Sequence, residues 1–282
     1  MGDDAHPFDR LGMGRSERIG FWDGYADSYS SFQQGDIPGR IVCRLADIGF
    51  VSEDSSVLEI GSGPGTYSLP LAEAAGSVLC LDSSPRMLAR LEDEAGARGL
   101  GNIRTRVAEW PDMDLEGTFD LCIAALCPGV CDGTSVRRME ELSSKGCAMV
   151  NWIENHGDDL NAAVWRALGR DCGSGFRKRS PALDWLRENG REVVIEEFET
   201  EVSADIPVRS LAEREDAYFR SVGMDVDTEP IVREALWDRI EGDVYRYRAR
   251  NRMRLAYWRV RALPLTGIET AQSLKPSPAR TP

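Results

Sequence analysis

Three glycines and one aspartate stand where a nucleoside-containing ligand could be bound. Gly61, Gly63 and Gly65 follow the strand-like run SVLEI and precede a helical segment, with the spacing G-x-G-x-G. Glycines at such a turn let the backbone bend tightly and approach a ligand without Cβ clashes. Asp82 ends the next strand-like run, where a carboxylate can accept both ribose hydroxyls of a nucleoside.

The spacing of this loop separates it from two common phosphate-binding loops. Dinucleotide-binding folds carry G-x-G-x-x-G, whereas here the third glycine comes one residue earlier and follows Pro64. A P-loop would need Gly-Lys-Ser/Thr, which does not follow the glycines. An NAD-dependent dehydrogenase is therefore a weaker hypothesis, and a Gly-rich turn of some other Rossmann-like protein is the plain alternative.

Two segments carry a resemblance to a known family. VLEIGSGPGTYSLPLA resembles motif I of class I S-adenosylmethionine (SAM)-dependent methyltransferases, and LDSSPRMLARL resembles the motif that follows it. The resemblance covers about residues 22 to 153, roughly half of the chain, together with the late strands. It implies a Rossmann-like methyltransferase fold, SAM as the cofactor, and transfer of a methyl group to a small molecule that the sequence does not identify.

The resemblance also implies a set of cofactor-binding residues. Glu59 and the glycine loop would surround the methionine part of SAM, Asp82 would bind the ribose, and the segment RVAEWPDMD would hold the adenine edge. Many relatives carry an Asp where this chain has Val107. The implied residues are Glu59, Gly61, Ser62, Gly63, Gly65, Asp82, Ser83, Met87, Ala108, Glu109 and Trp110.

Tyr29 and His156 are the candidate catalytic residues. His156 follows the fifth strand-like run, where some oxygen methyltransferases place a general base, and histidine can take a proton near neutral pH. An exposed loop histidine is the favoured alternative. Tyr29, with Trp22 and Tyr25, belongs to an N-terminal segment that could close the site and exclude water. Aromatic packing on the domain is the equal alternative for this segment.

Two cysteines follow the fourth strand-like run, in AALCPGVC. The Asp/Asn-Pro-Pro-Tyr/Phe sequence found at this place in many nitrogen methyltransferases is absent. Cys127 and Cys131 could contact the acceptor or form a thiol or soft-metalloid site, but ordinary buried or loop cysteines are the favoured interpretation. Their CxxxC spacing is weak evidence for a metal, so no metal site is predicted.

A basic stretch near the end of the chain has a two-residue period. Arg246, Arg248, Arg250, Arg252 and Arg254 would share one face of a strand, where they could hold an anionic acceptor. Pairing with the abundant acidic residues of the chain is the favoured alternative.

The elements that must position these residues alternate along the chain. Strand-like runs separated by helical segments predict a Rossmann-like α/β fold, with a mostly parallel seven-stranded sheet covered by helices on both faces. The predicted parts are an N-terminal helical segment over the SAM pocket (1–48), a SAM-binding core (49–204), a helical cap insertion (205–243), the last strand (244–264) and a disordered tail (265–282).

Composition narrows the partners and the compartment. The 282 residues include 34 Lys and Arg against 47 Asp and Glu, and a net charge of −13 would repel a nucleic-acid backbone. The sequence has no secretory signal and no membrane-length apolar run. Seven scattered cysteines are typical of reduced thiols in the cytoplasm. We therefore predict a cytoplasmic methyltransferase, monomeric or homodimeric, acting on a small molecule, with a catalytically silent SAM-binding scaffold as the alternative.

Overall fold

The computed structural model describes residues 12–29, 32–111, 113–155, 160–170 and 180–260. The strands are β1 (Ser56–Ile60), β2 (Ser77–Asp82), β3 (Ile103–Val107), β4 (Phe119–Ala125), β5 (Ser143–Asn155), β6 (Val194–Pro207), β7 (Ile240–Glu241) and β8 (Val244–Arg259). The α-helices are α1 (Arg15–Tyr25), α2 (Ile37–Asp47), α3 (Ser68–Ala74), α4 (Pro85–Ala97), α5 (Gly133–Glu141), α6 (Leu160–Ala167), α7 (Pro181–Glu188), α8 (Val208–Ser221) and α9 (Glu229–Ala235). The predicted tail lies outside the described residues.

One sheet organises the molecule, in the order β3-β2-β1-β4-β5-β8-β6, with β7 paired to β8. The strands β1 to β5 pair in parallel, and β8 runs antiparallel to both β5 and β6. The predicted Rossmann-like fold and mostly parallel sheet are confirmed. The two-residue β7, which was not predicted, forms a short hairpin with β8 through the turn at Gly242.

Helices cover the sheet on both faces because its central strands are apolar on both sides. One core joins the sheet to α2, α3 and α4, with Ile41, Leu71 and Leu91 fully buried. The other core joins the sheet to α5 and α7, through residues such as Met139 and Leu186. This double cover leaves the carboxyl ends of the parallel strands as the edge where a ligand can bind.

The strands β6 and β8 form an antiparallel ribbon that carries a third, smaller core. The helices α6, α8 and α9 pack on one face of this ribbon, and α6 precedes the predicted cap insertion in the chain. The buried residues of this core are Leu160, Val208, Leu211, Val232, Leu236, Tyr245 and Tyr247. The ribbon helices thus pack on the part of the sheet that β6 and β8 form.

The other face of the ribbon carries the arginines with the two-residue period. Three of them form ion pairs with acidic side chains: Arg246–Glu241, Arg250–Glu199 and Arg252–Glu197. Pairing with acids, the favoured interpretation of the stretch, is confirmed for these three. No helix in the described part of the chain is long and apolar enough to cross a membrane.

Candidate active site

The glycine loop after β1 is folded back onto the end of β2. The backbone N–H groups of Gly61 and Ser62 both donate to the carbonyl oxygen of Leu81, at 2.8 and 2.9 Å. Gly61 has φ of 68°, and a Cβ at this position would lie 2.5 Å from Cys127 Sγ. Only glycine fits such a backbone with so close a neighbour. The loop after β4 can therefore pack directly against the loop after β1.

Asp82 is fixed where β2 ends. Its Oδ2 accepts from the backbone N–H of Gly63 at 2.8 Å, and its Oδ1 accepts from that of Ser84 at 2.9 Å. Burial raises the pKa of this carboxyl, the backbone hydrogen bonds oppose that effect, and nearby Asp23 adds to it. The carboxylate is thus held rigidly against the glycine loop, with lone pairs left for a ligand.

Glu59 is a second buried carboxyl in the same place. It is 1% exposed, and Ser68 Oγ donates to its Oε2. The pKa of Glu59 is raised to about 8, mainly by burial, with the hydrogen bond from Ser68 lowering it and the charge of Asp82 raising it. Two carboxyls in one low-dielectric site favour a ligand that brings positive charge or hydrogen-bond donors.

A cavity of about 440 Å³ lies between these carboxyls and α1, within the size range of small-molecule sites. The predicted residues that line it are Glu59, Gly61, Ser62, Gly63, Asp82, Ser83, Met87, Ala108, Glu109, Trp110 and Tyr29. Gly65 lines a neighbouring cavity instead, since its backbone turns towards Leu69 and Leu91. His156 lies outside the described residues.

The helix α1 closes one side of the cavity. Asp23 accepts from Ser84 Oγ at 2.6 Å and from the backbone N–H of Arg86 at 3.2 Å, so α1 is docked on the first turn of α4. Trp22 and Tyr29 line the cavity. Tyr25 instead contacts the ring of Tyr218 in α8, with 6.1 Å between the ring centroids. The N-terminal aromatics are thus divided between the cavity and the packing of α1 on α8.

Tyr29 lies beside both carboxyls. Burial raises its pKa, the charges of Asp82 and Glu59 raise it further, and a hydrogen bond with the Thr66 side chain acts in the opposite direction. The phenol therefore keeps its proton at physiological pH. It can donate a hydrogen bond or pack on a ligand, but it is poorly suited to be a general base.

The segment predicted to hold adenine is joined to its surroundings by three contacts. The backbone N–H of Ala108 donates to Asp82 O at 2.9 Å. Glu109 forms an ion pair with Arg15 of α1, and Trp110 Nε1 donates to Ser135 O at 3.1 Å. The carboxylate of Glu109 is therefore already engaged by the helix that closes the cavity.

The cysteines after β4 both line the cavity. Burial raises the pKa of Cys127 to about 12, so this thiol remains protonated and is a poor nucleophile. The preceding Leu126 has φ of 53°, an unusual conformation for a non-glycine residue. The backbone is therefore strained at the point where the loop meets Gly61.

Sequence reasoning missed Gln34 as a cavity residue. Gln34 lies on the short 3₁₀ helix Phe32–Gln34, is 3% exposed and lines the cavity. Its Oε1 and the Oγ of Ser62 are buried without a hydrogen-bond partner. Buried polar atoms are normally paired, so these two are suited to ligand groups. No motif in the sequence marks Gln34.

The comparisons with known proteins agree with this geometry. Residues 57–143 match the family described as methyltransferase domain. The matched residues are less than a third of the chain, so the similarity to a methyltransferase domain is shown for this part alone. It contains the glycine loop, Asp82 and the loop after β4, and it leaves α1 and the ribbon outside the match.

Two sequence relatives and one solved structure show the range of the similarity. An uncharacterized protein of Haemophilus influenzae is 30% identical over 159 residues, which are 54% of this chain and 56% of that protein. A probable ribosomal RNA small subunit methyltransferase A of Methanothermobacter thermautotrophicus is 46% identical over 50 residues, 18% of each chain. The chain thus spans about half the length of the first relative and less than a fifth of the second. The structure of magnesium protoporphyrin IX methyltransferase from Synechocystis, with bound SAH, aligns at 16% identity with a TM-score of 0.46, covering 88% of this chain and 95% of that one.

Proposed function

We propose that this chain transfers a methyl group from SAM to a small-molecule acceptor. The observation that carries the proposal is Asp82, which the N–H groups of Gly63 and Ser84 hold at the edge of the cavity. In a methyltransferase domain, a fixed carboxylate at the end of β2 is suited to the two ribose hydroxyls of the donor.

The residues of the cavity fit SAM on structural grounds. Ser62 Oγ and Gln34 Oε1 are buried polar atoms that lack partners in the structure. Gly63 has φ of 53°, and open space surrounds the position of its missing Cβ. A ligand with several hydroxyl and ammonium groups would satisfy the polar atoms, and the glycine would let it approach the backbone closely.

In this proposal, Asp82 and Glu59 bind different parts of SAM. Asp82 accepts from the ribose hydroxyls, while Glu59 faces the ammonium group of the methionine part. A bound cation would favour ionised Glu59, whose pKa is raised to about 8 by burial in its absence. When bound, SAM supplies an activated methyl group on a sulfonium, and S-adenosylhomocysteine (SAH) is the product that leaves.

The remaining side chains of the cavity position the reactants and exclude water. Tyr29 and Cys127 both keep their protons, because burial raises the pKa of each. Neither can serve as the base, so Tyr29 acts by packing and hydrogen bonding, and orientation supplies much of the acceleration. The general-base role of His156 stays a prediction.

A small molecule is the acceptor class that the chain's charge favours. One short relative is named for methylation of ribosomal RNA. The net charge of −13 opposes binding of a phosphate backbone, and the amine-orienting Pro-Pro sequence is absent after β4. The aromatic helix α1 also closes one side of the cavity, which suits a small acceptor.

Calorimetric titration of the purified chain with SAM, SAH and NAD tests this function. We expect both adenosyl compounds to bind and NAD to remain unbound. Asp82→Asn should weaken binding of SAH by about tenfold or more, because a charged hydrogen-bond acceptor is lost. The matched control is Asp93→Asn, an exposed acid on α4, which should bind like the wild type.

The outcomes separate the candidate functions. Binding of NAD without SAM would replace the proposal by a dehydrogenase. Adenosyl binding without transfer of labelled methyl to any compound of a metabolite extract would favour the silent scaffold. Transfer to purified RNA, with none to metabolites, would overturn the small-molecule acceptor.

A further inference from the structure

The described part of the chain contains four buried side-chain polar atoms without a hydrogen-bond partner, and they fall into two pairs. Gln34 Oε1 and Ser62 Oγ belong to residues that line the cavity proposed to bind SAM, called the donor cavity below. The other two are Asn151 Oδ1 on β5 and Arg254 Nε on β8. Orphaned buried polar atoms are rare in folded proteins and call for an explanation such as a missing ligand.

Asn151 and Arg254 are direct neighbours across two antiparallel strands. Two residues earlier in the register, Met149 faces Ala256, and both pack in the core under α5 and α7. Because side chains alternate along a strand, Asn151 and Arg254 project on that same face. The two side chains therefore start from neighbouring positions on one face of the sheet.

Asn151 and Arg254 lie close to the cavity that contains Asp82. The backbone N–H of Leu126, which lines the cavity, donates to the carbonyl of Val150 at 2.9 Å, and Asn151 is the next residue. Neighbouring strands are about 5 Å apart, so the pair lies one and two strands beyond the cavity wall. Ala125, the last residue of β4, pairs with Val150, so Asn151 and Arg254 lie just past the level at which β4 ends, on the side where ligands of open α/β sheets bind.

Arg254 also differs from the other arginines of its face. Its register partner on β6 is Glu197, but Glu197 forms its ion pair with Arg252. Arg250 and Arg246 likewise have acidic partners. Arg254 alone among them combines a half-buried side chain with a buried Nε that has no partner. In a chain with a net charge of −13, a guanidinium left in this state is available for an anion.

We propose that Asn151 and Arg254 form an acceptor subsite for a carboxylate that carries an OH or NH group on the adjacent carbon. The inference rests on the proposed methyl transfer. The guanidinium binds the carboxylate through Nε and a terminal nitrogen, and Asn151 Oδ1 accepts from the neighbouring OH or NH. A single guanidinium near Glu197 suits a monoanion better than a phosphate dianion, which would need more positive charge.

Small probes of this chemistry test the subsite on the full chain. Glycolate, acetate and methyl glycolate are titrated by ligand-observed NMR, with and without saturating SAH. We expect glycolate to bind more tightly than acetate, and methyl glycolate to bind least. Arg254→Met should weaken glycolate binding by about tenfold or more, since a charged hydrogen bond is lost. Asn151→Ala should make glycolate and acetate bind alike.

The matched control is Arg248→Met, which removes an exposed arginine from the same face of β8 and should leave the titrations unchanged. Thermal unfolding of each variant confirms that it folds. If both site variants lose stability but bind glycolate like the wild type, the pair is an internal contact and the proposal is wrong. Equal binding of glycolate and its methyl ester would also overturn it.

Failure of the proposed function can be distinguished from failure of the subsite. A wild-type chain that binds neither SAM nor SAH would refute the proposed function. The titrations without SAH would still show whether Arg254 and Asn151 bind a hydroxy carboxylate.

Discussion

Two parts of the molecule bury carboxyl groups in opposite ways. In the donor cavity, Glu59 and Asp82 lie together, and burial raises the pKa of each. On the face covered by α5, Glu140 accepts from Arg191 at 2.8 and 2.7 Å and from Trp258 Nε1 at 3.0 Å. Glu140 has its charged and neutral hydrogen-bond donors within the protein, whereas Glu59 and Asp82 keep lone pairs that a ligand can use. Incompletely satisfied groups therefore mark the site, and fully paired ones mark the scaffold.

The comparison predicts that replacing Glu by Gln has opposite effects on stability at Glu59 and at Glu140. Glu59→Gln should stabilise the ligand-free protein, because a buried carboxyl whose pKa is raised disfavours folding once it ionises. The penalty is absent below pH 4.5 and grows until the pH passes about 8. The gain in unfolding free energy should follow the same course, reaching at most about 5 kcal/mol. Urea denaturation across this range measures it.

A pH-independent difference, or a destabilised variant, would contradict this assignment of Glu59. The same variant should also bind SAM and SAH more weakly than the wild type, since a carboxylate partner for the ammonium group is removed. A gain in stability together with a loss of binding is the pattern expected of a residue held in a strained state for function.

Glu140→Gln should destabilise the protein by about 2 kcal/mol. A neutral amide oxygen cannot replace the charged hydrogen bonds to Arg191 and also serve Trp258, so a buried donor is left unpaired. The matched control is the next residue: Glu141 forms an exposed ion pair with Arg138 at 3.1 Å. Glu141→Gln should change stability by less than about 0.5 kcal/mol. Equal effects at the two positions would remove the contrast between buried and exposed pairs.

The glycine loop and the strand-end acid that line the cavity could be predicted from the sequence because their constraints are local. A strand, a glycine loop and a strand-end acid follow each other closely in the chain, and the tight turn leaves few alternatives to glycine at Gly61. Ser84, which caps α4, is equally local: its side chain accepts from the backbone N–H of Met87, three residues on, at 3.1 Å.

The rest of the site depends on contacts between distant residues. Cys127 packs on Gly61, Arg15 pairs with Glu109, and Gln34 enters the cavity from a short 3₁₀ helix. No periodicity or spacing encodes such contacts. The pairing of β6 with β8 along its whole length is likewise a contact between residues distant in the chain.

The smallest expected effect is at Glu196 of β6, whose pKa is shifted in the opposite direction to that of Glu59. Arg44 donates to both carboxylate oxygens, and Tyr257 OH donates at 2.7 Å. The hydrogen bonds from Arg44 lower the pKa of Glu196, so its contribution to stability is present above pH 4.5 and is lost as the pH falls through the lowered value. Glu196→Gln should therefore be slightly less stable than the wild type at neutral pH, with a difference that shrinks in acid. Urea denaturation from neutral pH to below pH 4.5 measures it, with the exposed Glu201→Gln as the control. A difference that persists in acid would show that Glu196 acts through packing and not through its charge.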